Sequence, residues 1–597
     1  MKGLAAGGVV AGLGWWPEGA SAQGVPRRPT GSLSGTEFQL DLLETLVNFT
    51  GAPRYAHAIN GSLPAPILRW KEGDTVTLRV SNRLADDYAS IHWHGILLPA
   101  NMDGVPGLSF NGIAPGETYV YRFEVKQGGT YWYHSHSAFQ EQVGLYGALI
   151  IEPRNPPPFT YDREHVVLLS DWTDEQPERV FAKLKKQADY YNFHKRTVGD
   201  FFRDVRLRGL GPTLAERAAW GEMRMTPTDL ADVSGYTYTY LMNGMTPAGN
   251  WTGLFGPGER VRLRFINASS MTYFDVRIPG LKMTVVEADG QYVHPVTVDE
   301  LRIAVAETMD VIVEPSGQEA FTIFAQSMDR TGYARGTLAV REGLSAPVPA
   351  TDPRPLLTMA DMGHGMDHGA GDGMHGDAAP GDPLAGHDAP PKPAADPHAG
   401  HTMPAQESPP PDPHAGHGAN GSRMQEHPPT EEGNPLVDMQ TMMPASRLDD
   451  PGIGLRNNGR RVLTYADLRS LFEDPDGREP ARTIELHLTG HMERFVWSFD
   501  GLKFSDAAPI RLVYGERLRI VLVNDTMMTH PIHLHGMWSD LEDDHGRFHV
   551  RKHTIDMPPG TRRTYRVRAD ALGRWAYHCH LLYHMEAGMF REVSVEE

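Results

Sequence analysis

Three stretches of the chain repeat one alternation of apolar and polar positions. They follow Gly73 (DTVTLRVSNRL), Gly258 (ERVRLRFINAS) and Gly515 (ERLRIVLVNDT). A period of two marks a strand with one buried face. A turn dipeptide precedes each copy, at Asn60-Gly61, Asn243-Gly244 and Asp500-Gly501. The first and third copies share a second unit. Pro115-Gly116 leads through TYVYRFEV to His134, and Pro559-Gly560 leads through RTYRVRA to His578. Short strands, Gly/Pro turns and internal repetition predict an all-β chain of sandwiches. The expected domains are 36–155, 156–345 and 446–597.

Two stretches depart from the β pattern. Residues 174–232 read as a helical insertion in the second domain: Pro177 suits a helix start, and Val180, Leu184, Ala188 and Tyr191 follow helical spacing. Thr213 and Glu216 are spaced as a capping box. No chemistry is expected of this insertion. Residues 346–445 lose their aromatics and fill with Gly, Pro, Ala, Asp, His and Met, a composition that cannot bury a core and predicts a disordered linker. It carries His364, His368, His375, His387, His398, His401, His414, His417 and His427, with Met359, Met362, Met366, Met374, Met403 and Met424 between them. Imidazole suits Cu(II) and thioether suits Cu(I), so the linker reads either as a weak collector of extra copper ions or as a solvated spacer.

Composition narrows the function. The 597 residues hold 56 basic and 75 acidic side chains, net −19, which argues against nucleic acid as a partner. A mean hydropathy of −0.41 excludes a polytopic membrane protein. One cysteine excludes an intrachain disulfide and Cys-rich zinc or iron–sulfur sites, whereas 28 His and 26 Met point to copper. At the N-terminus, Lys2, a Gly/Ala/Val/Leu run and Ala20-Ser21-Ala22 form an export signal over residues 1–22, read as the tail of a twin-arginine signal. The expected location is the periplasm, without stable membrane insertion and as a monomer.

Four histidine groups carry the chemistry: His92-Trp93-His94-Gly95, His134-Ser135-His136, His530-Pro531-Ile532-His533-Leu534-His535-Gly536 and His578-Cys579-His580. In a strand, residues i and i+2 share a face, so each His-x-His presents two imidazoles together. Cys579 then faces the other way and needs its own partners, for which His530, His584 and Met589 are available. A thiolate, two imidazoles and a weak thioether make the blue-copper ligand set. Eight imidazoles remain, enough for three copper ions with two, three and three ligands. At the corresponding place the second repeat reads Tyr273-Phe274-Asp275-Val276, with no histidine. The outer domains therefore carry the ligands and the middle one is expected to be a spacer.

In these motifs, HWHG, HSH, HPIHLHG and HCHLLYHMEAGM, the chain resembles the multicopper oxidases, and among them the bacterial copper-resistance protein A family. GMWSDLEDDHGRFHVRKHTIDMPPG and the His/Met-rich segment extend the resemblance over the whole mature chain. It implies three cupredoxin-like Greek-key sandwiches, four copper ions and oxidation of a one-electron donor coupled to reduction of dioxygen to water. It implies a type 1 copper on His530, Cys579, His584 and Met589, and a type 2 copper on His92 and His533. A type 3 pair falls to His94, His134, His136, His535, His578 and His580. Asp103 stands where relatives deliver protons. Where some relatives place a second carboxylate this chain has Met585, followed by Glu586, the candidate second proton donor. Cu(I) is the expected donor, with the acidic loop Asp540, Glu542, Asp543 and Asp544 as a cation dock and Met537 and Met557 as soft ligands. The alternatives are a laccase acting on phenols and aromatic amines, and a copper-sequestering protein working through its linker.

Overall fold

The computed structural model describes residues 31–363 and 424–597. Among the described residues six sheets account for the strands, and none of them mixes strands from different thirds of the chain. The first domain pairs a four-stranded with a five-stranded sheet, and the second and third each pair a six-stranded with a five-stranded one. The three repeated stretches become strands Thr75–Asn82, Val261–Asn267 and Arg517–Asn524. Their preceding turns all have left-handed backbone at both residues, with φ of 53° and 75° at Asn60-Gly61, 49° and 72° at Asn243-Gly244, and 53° and 70° at Asp500-Gly501. That is the conformation Asn-Gly and Asp-Gly tolerate best.

The repeat extends to the functional strands. His92–His94, Phe274–Arg277 and His530–Leu534 each pair with the corresponding strand of their domain's five-stranded sheet, Gly129–His134, Ala320–Ser327 and Gly573–Cys579; the first is an edge strand, and the other two lie one strand in from the edge. In the middle domain this place holds buried Asp275, paired with Arg302 at 2.7 Å and Arg330 at 2.6 Å. A salt-bridge cluster occupies the position that the outer domains give to imidazoles.

The insertion is helical, with helices Pro177–Lys186, Val198–Arg208 and Leu210–Glu222. Pro177 is at the first turn, where its missing N–H costs nothing. The capping box lies at Thr197 and Asp200, not at Thr213 and Glu216. Thr213 lies within the third helix and donates to Gly209 O, while Glu216 is engaged by Arg196 and Arg208.

The linker expectation is too wide at both flanks. Residues 346–363 and 424–445 pack on the second and third domains. Met362, Glu431, Met439 and Thr441 are buried, and Leu357 N donates to Pro227 O at 3.0 Å. The side chains of Asp352, Asp361 and Asp438 accept hydrogen bonds from residues of the domains or their flanks, which a solvated spacer would not offer. The eight linker histidines from His364 to His417, with Met366, Met374 and Met403, lie outside the described residues, as does the expected export signal 1–22. Among the described residues no helix is long and apolar enough to cross a membrane.

Candidate metal centre

The first and third domains bring their histidine strands together. Register pairs His92 with His134 in one sheet and His533 with His578 in the other. Across the interface His92 stacks on His535 and His94 on His533, both at 3.9 Å between ring centroids. Three groups of ring nitrogens result, each within 4.8 Å: His94, His134 and His580; His136, His535 and His578; and His92 with His94 and His533. The two histidines of His134-Ser135-His136, of His533-Leu534-His535 and of His578-Cys579-His580 thus separate into different groups, while His92 and His94 share one, and His94 belongs to two.

A second ring of contacts orients these imidazoles. His92 Nδ1 donates to Asp103 O at 2.8 Å, His533 Nδ1 to His553 O at 2.6 Å and His578 Nδ1 to Cys579 O at 3.0 Å. Asp103 Oδ2 accepts from His535 Nδ1 at 2.8 Å, and its Oδ1 lies 3.3 Å from His92 Nδ1. Glu141 Oε2 lies 2.7 Å from His134 Nδ1. His94 Nε2 is 3.2 Å from His553 Nδ1. The nitrogens on the opposite edges turn inward. One or both ring nitrogens of His92, His94, His134, His136, His533 and His580 are buried without any hydrogen-bond partner. Each such group costs about 1–3 kcal/mol when nothing meets it. A cation meets it. Outer N–H groups fixed by carbonyls and carboxylates, with inner lone pairs converging, are the arrangement metal-binding histidines adopt.

Gly104 makes the Asp103 contact possible. Its φ is +81°, and a Cβ there would lie 1.8 Å from Ile91 O. The chain can pass this close to strand His92–His94 only without a side chain.

The cysteine site is separate and fully buried. Cys579 Sγ lies 3.5 Å from His530 Nδ1 and 3.8 Å from His584 Nδ1, and the two nitrogens are 3.1 Å apart. Thr526 Oγ1 holds His530 Nε2 at 2.7 Å, and Asp232 Oδ2 holds His584 Nε2 at 2.7 Å. Trp497 stacks on His584 at 4.0 Å. Met589 is buried, and its carbonyl accepts from Cys579 N at 3.1 Å. Burial pushes the Cys579 thiol well up, so only a cation sustains its thiolate. Burial likewise pushes Asp232 up to about 7.

Three residues absent from the sequence reading take part. Asp232 ends the insertion of which no chemistry was expected. Glu141 follows the HSH motif by a loop, and His553 lies in the stretch HVRKHTID after the third motif. No spacing rule marks them. Glu586 is exposed at the end of helix Leu582–Glu586, whereas Glu141 is buried beside His134 with its carboxyl pushed well up by burial. The carboxyl group against this side of the cluster is therefore Glu141. The acidic loop is no free cation dock: Asp540 pairs with Arg551, Glu542 with Arg519 and Arg566, and Asp543 with Arg547, while Asp544 accepts from Ser446. Met537 and Met557 are core side chains. The middle domain is more than a spacer, since Asp289 Oδ2 anchors Lys552 at 2.9 Å and the backbone N–H groups of His553 and Thr554 at 3.2 Å.

Burial pushes His94, His134, His136, His530, His533, His535, His580 and His584 well below the usual imidazole range, and His578 to about 3. Neutral rings are what a metal requires. In metal-free protein they stay neutral when folded but titrate near 6.5 when unfolded. Below that pH the unfolded chain binds more protons, so stability drops as pH falls. We expect the Tm of copper-free protein to decline from about pH 7.5 to about pH 5.5, and copper to raise it. A flat Tm in the copper-free protein would mean that the folded rings accept protons.

Comparison with known proteins agrees with this geometry. Multicopper oxidase family models match residues 43–156, 163–343 and 477–597. The chain belongs to the multicopper oxidase family. Within it, the chain is similar to Copper resistance protein A of Escherichia coli, 68% identical over 608 residues, covering 100% of this chain and 98% of the relative. The Copper resistance protein A homolog of Pseudomonas syringae pv. tomato is 67% identical, again over 100% and 98%. Among solved structures, Fet3p, a multicopper oxidase that functions in iron import, superposes with a TM-score of 0.62 at 18% identity, over 94% of this chain and 91% of that one. A Botrytis aclada laccase mutant superposes with 0.60 at 19%, over 95% and 88%. Both share the fold of three cupredoxin-like domains. The chain is an oxidase, its cofactor is copper, and its family relationships fit a role in copper resistance.

Proposed function

We propose that this enzyme oxidises Cu(I) to Cu(II) in the periplasm and delivers the electrons to dioxygen, using four copper ions. The type 1 ion falls to His530, Cys579, His584 and Met589, and the type 2 ion to His92 and His533. The type 3 pair falls to His94, His134 and His580 on one side and His136, His535 and His578 on the other. The observation that supports this reading is the clustering of these imidazoles in groups of three, with His94 shared between two groups, and with Cys579 bonded through the backbone to His578 and His580, one from each of two groups. When bound, the copper ions supply one-electron acceptance at the cysteine site and four-electron reduction of dioxygen to two waters at the cluster.

The chain's own residues do the rest. Burial of every ligand except the half-buried His136 keeps bulk water from the cysteine site and largely from the cluster. Asp103 fixes two rings and has one carboxylate oxygen, Oδ1, without a hydrogen-bond partner, which suits the holding and release of a proton. Glu141, its carboxyl pushed well up by burial and 2.7 Å from His134 Nδ1, is placed to act as the second proton donor. On the donor side, a narrow cavity is lined by Asp232 together with Met271, Met328 and Met528. Thioethers favour Cu(I), and the Asp232 carboxylate reaches His584 directly. This cavity takes the role that the sequence reading gave to the acidic loop.

The test is oxygen uptake by copper-loaded protein with stabilised Cu(I) as sole donor, beside the same assay with a phenol. We expect saturable uptake on Cu(I), at least about tenfold faster than on phenol, a difference of about 1.4 kcal/mol in barrier. Fast phenol turnover with negligible Cu(I) oxidation would make the enzyme a laccase.

A further inference from the structure

Another group of metal-ligating side chains lies in the third domain, on its six-stranded sheet rather than on the sheet that carries the cysteine site. His487 is in strand Thr483–His491, and Asp525 directly follows the neighbouring strand Arg517–Asn524. His427 and Glu431 come from the segment that enters this domain from the His/Met-rich stretch. The donor atoms of all four lie within 4.8 Å of one another. We propose that His427, Glu431, His487 and Asp525 bind one divalent transition-metal ion, Cu(II) in preference to Zn(II), which fastens the returning segment to the third domain. This inference is independent of the copper assignments above.

The distances suit one ion. Bonds of about 2.0–2.2 Å in a tetrahedron place neighbouring donors about 3.3–3.6 Å apart. Here His427 Nδ1 lies 3.1 Å from Glu431 Oε2 and 3.3 Å from Asp525 Oδ2. His487 Nδ1 lies 2.6 Å from Asp525 Oδ2 and 3.6 Å from Glu431 Oε1. Small movements would centre an ion among them.

The outer contacts are those of a metal site. His427 Nε2 meets Thr441 O at 3.2 Å, and His487 Nε2 meets Glu485 Oε1 at 3.3 Å. Both rings therefore have a carbonyl or carboxylate for the outer N–H, leaving Nδ1 to face the carboxylates, as ligating histidines do. Asp525 Oδ1 is held by Thr441 N at 2.6 Å, and Glu431 Oε2 by Gln440 at 3.2 Å. Glu431 Oε1 is left without a hydrogen bond, although its side chain is entirely buried. A buried carboxylate oxygen without a hydrogen bond, 3.6 Å from His487 Nδ1, is a costly arrangement that a metal ion between them relieves.

Charge and access agree. Two neutral imidazoles and two carboxylates neutralise a divalent ion. Nitrogen and oxygen donors select borderline ions, and Cu(II) leads that order. His427 and His487 line a recess together with Glu426, Thr430 and Asp500, which gives a hydrated cation a path to the two imidazoles. Without metal the group persists as an ion-pair cluster. Burial favours neutral rings, but it is outweighed by hydrogen bonds to Asp525 and Glu431 at His427, raised to about 10, and by hydrogen bonds to Asp525 and Glu485 at His487, raised to about 9. A bound ion replaces two protons.

The experiment is anomalous diffraction at the copper edge from crystals of the full-length, copper-loaded protein soaked in excess Cu(II), paired with metal analysis in solution. We expect a peak about 2.0–2.2 Å from the four donor atoms. We expect His427→Gln to keep its blue colour and bind one Cu(II) fewer than the parent, whatever the His/Met stretch binds in both. Zn(II) should occupy the same position in a parallel soak. A cluster without a peak in either soak, with hydrogen bonds retained, would overturn the proposal. So would equal Cu(II) content in parent and His427→Gln.

Discussion

Cys579→Ser will remove the intense visible absorption of the copper-loaded protein and abolish oxidase turnover, while copper content falls by one ion. The reason lies in the donor set. Cys579 is the only thiol in the chain, and its sulfur sits 3.5 and 3.8 Å from the Nδ1 atoms of His530 and His584. A serine hydroxyl is hard, holds its proton at neutral pH and cannot replace a soft thiolate. The fold should survive, because the change swaps one small buried group for another and leaves at worst one unsatisfied hydroxyl, costing about 1–3 kcal/mol. The histidine cluster between the first and third domains keeps every ligand. Paramagnetic resonance should therefore retain the type 2 signal when the blue signal is gone. Blue colour surviving in the variant would refute the assignment of Cys579.

Asp103→Asn should leave the blue colour intact and cut turnover by about 10²- to 10⁴-fold, the range that a lost proton-transfer group produces. Asp103 is buried, accepts from His535 and lies against His92. An asparagine matches its shape and can still accept one hydrogen bond, but it has no proton to give at neutral pH. The loss should lie in reoxidation by dioxygen, not in reduction by the donor. Stopped-flow reduction by Cu(I) should therefore proceed at the parental rate, followed by slow recovery of colour on mixing with oxygen. Slow reduction with normal recovery would place Asp103 on the donor side, contrary to its contacts with His92 and His535.

Much of this protein was legible along the chain because its signals are local. Strand alternation, turn dipeptides with left-handed backbone and the two-residue step of His-x-His depend on a few neighbouring residues. The missing histidine at Phe274-Asp275 announced a middle domain without ligands, and Asp275 proved to be engaged by Arg302 and Arg330 instead. The errors arose where composition stood in for contacts. The flanks of the His/Met-rich stretch look unable to form a core, yet they pack onto cores built by other residues. The acidic loop looks like a cation dock, yet arginines from neighbouring strands occupy its carboxylates. Glu586 lies beside the ligand motif in sequence but is exposed in the fold.

The sequence by itself determined the fold class, the domain repeat and the kinds of donor atom, because each follows from spacing along one strand or turn. Only the tertiary structure decided which histidines share a group. It also decided that Asp232 holds His584 from 352 residues away, and that Asp103 holds His535 from 432 residues away. It placed Glu141 against His134, and His427 with Glu431 against His487 and Asp525. Such pairings have no signature in spacing. They exist because burial removes water as a partner, so each polar group must find another wherever the packed domains provide one.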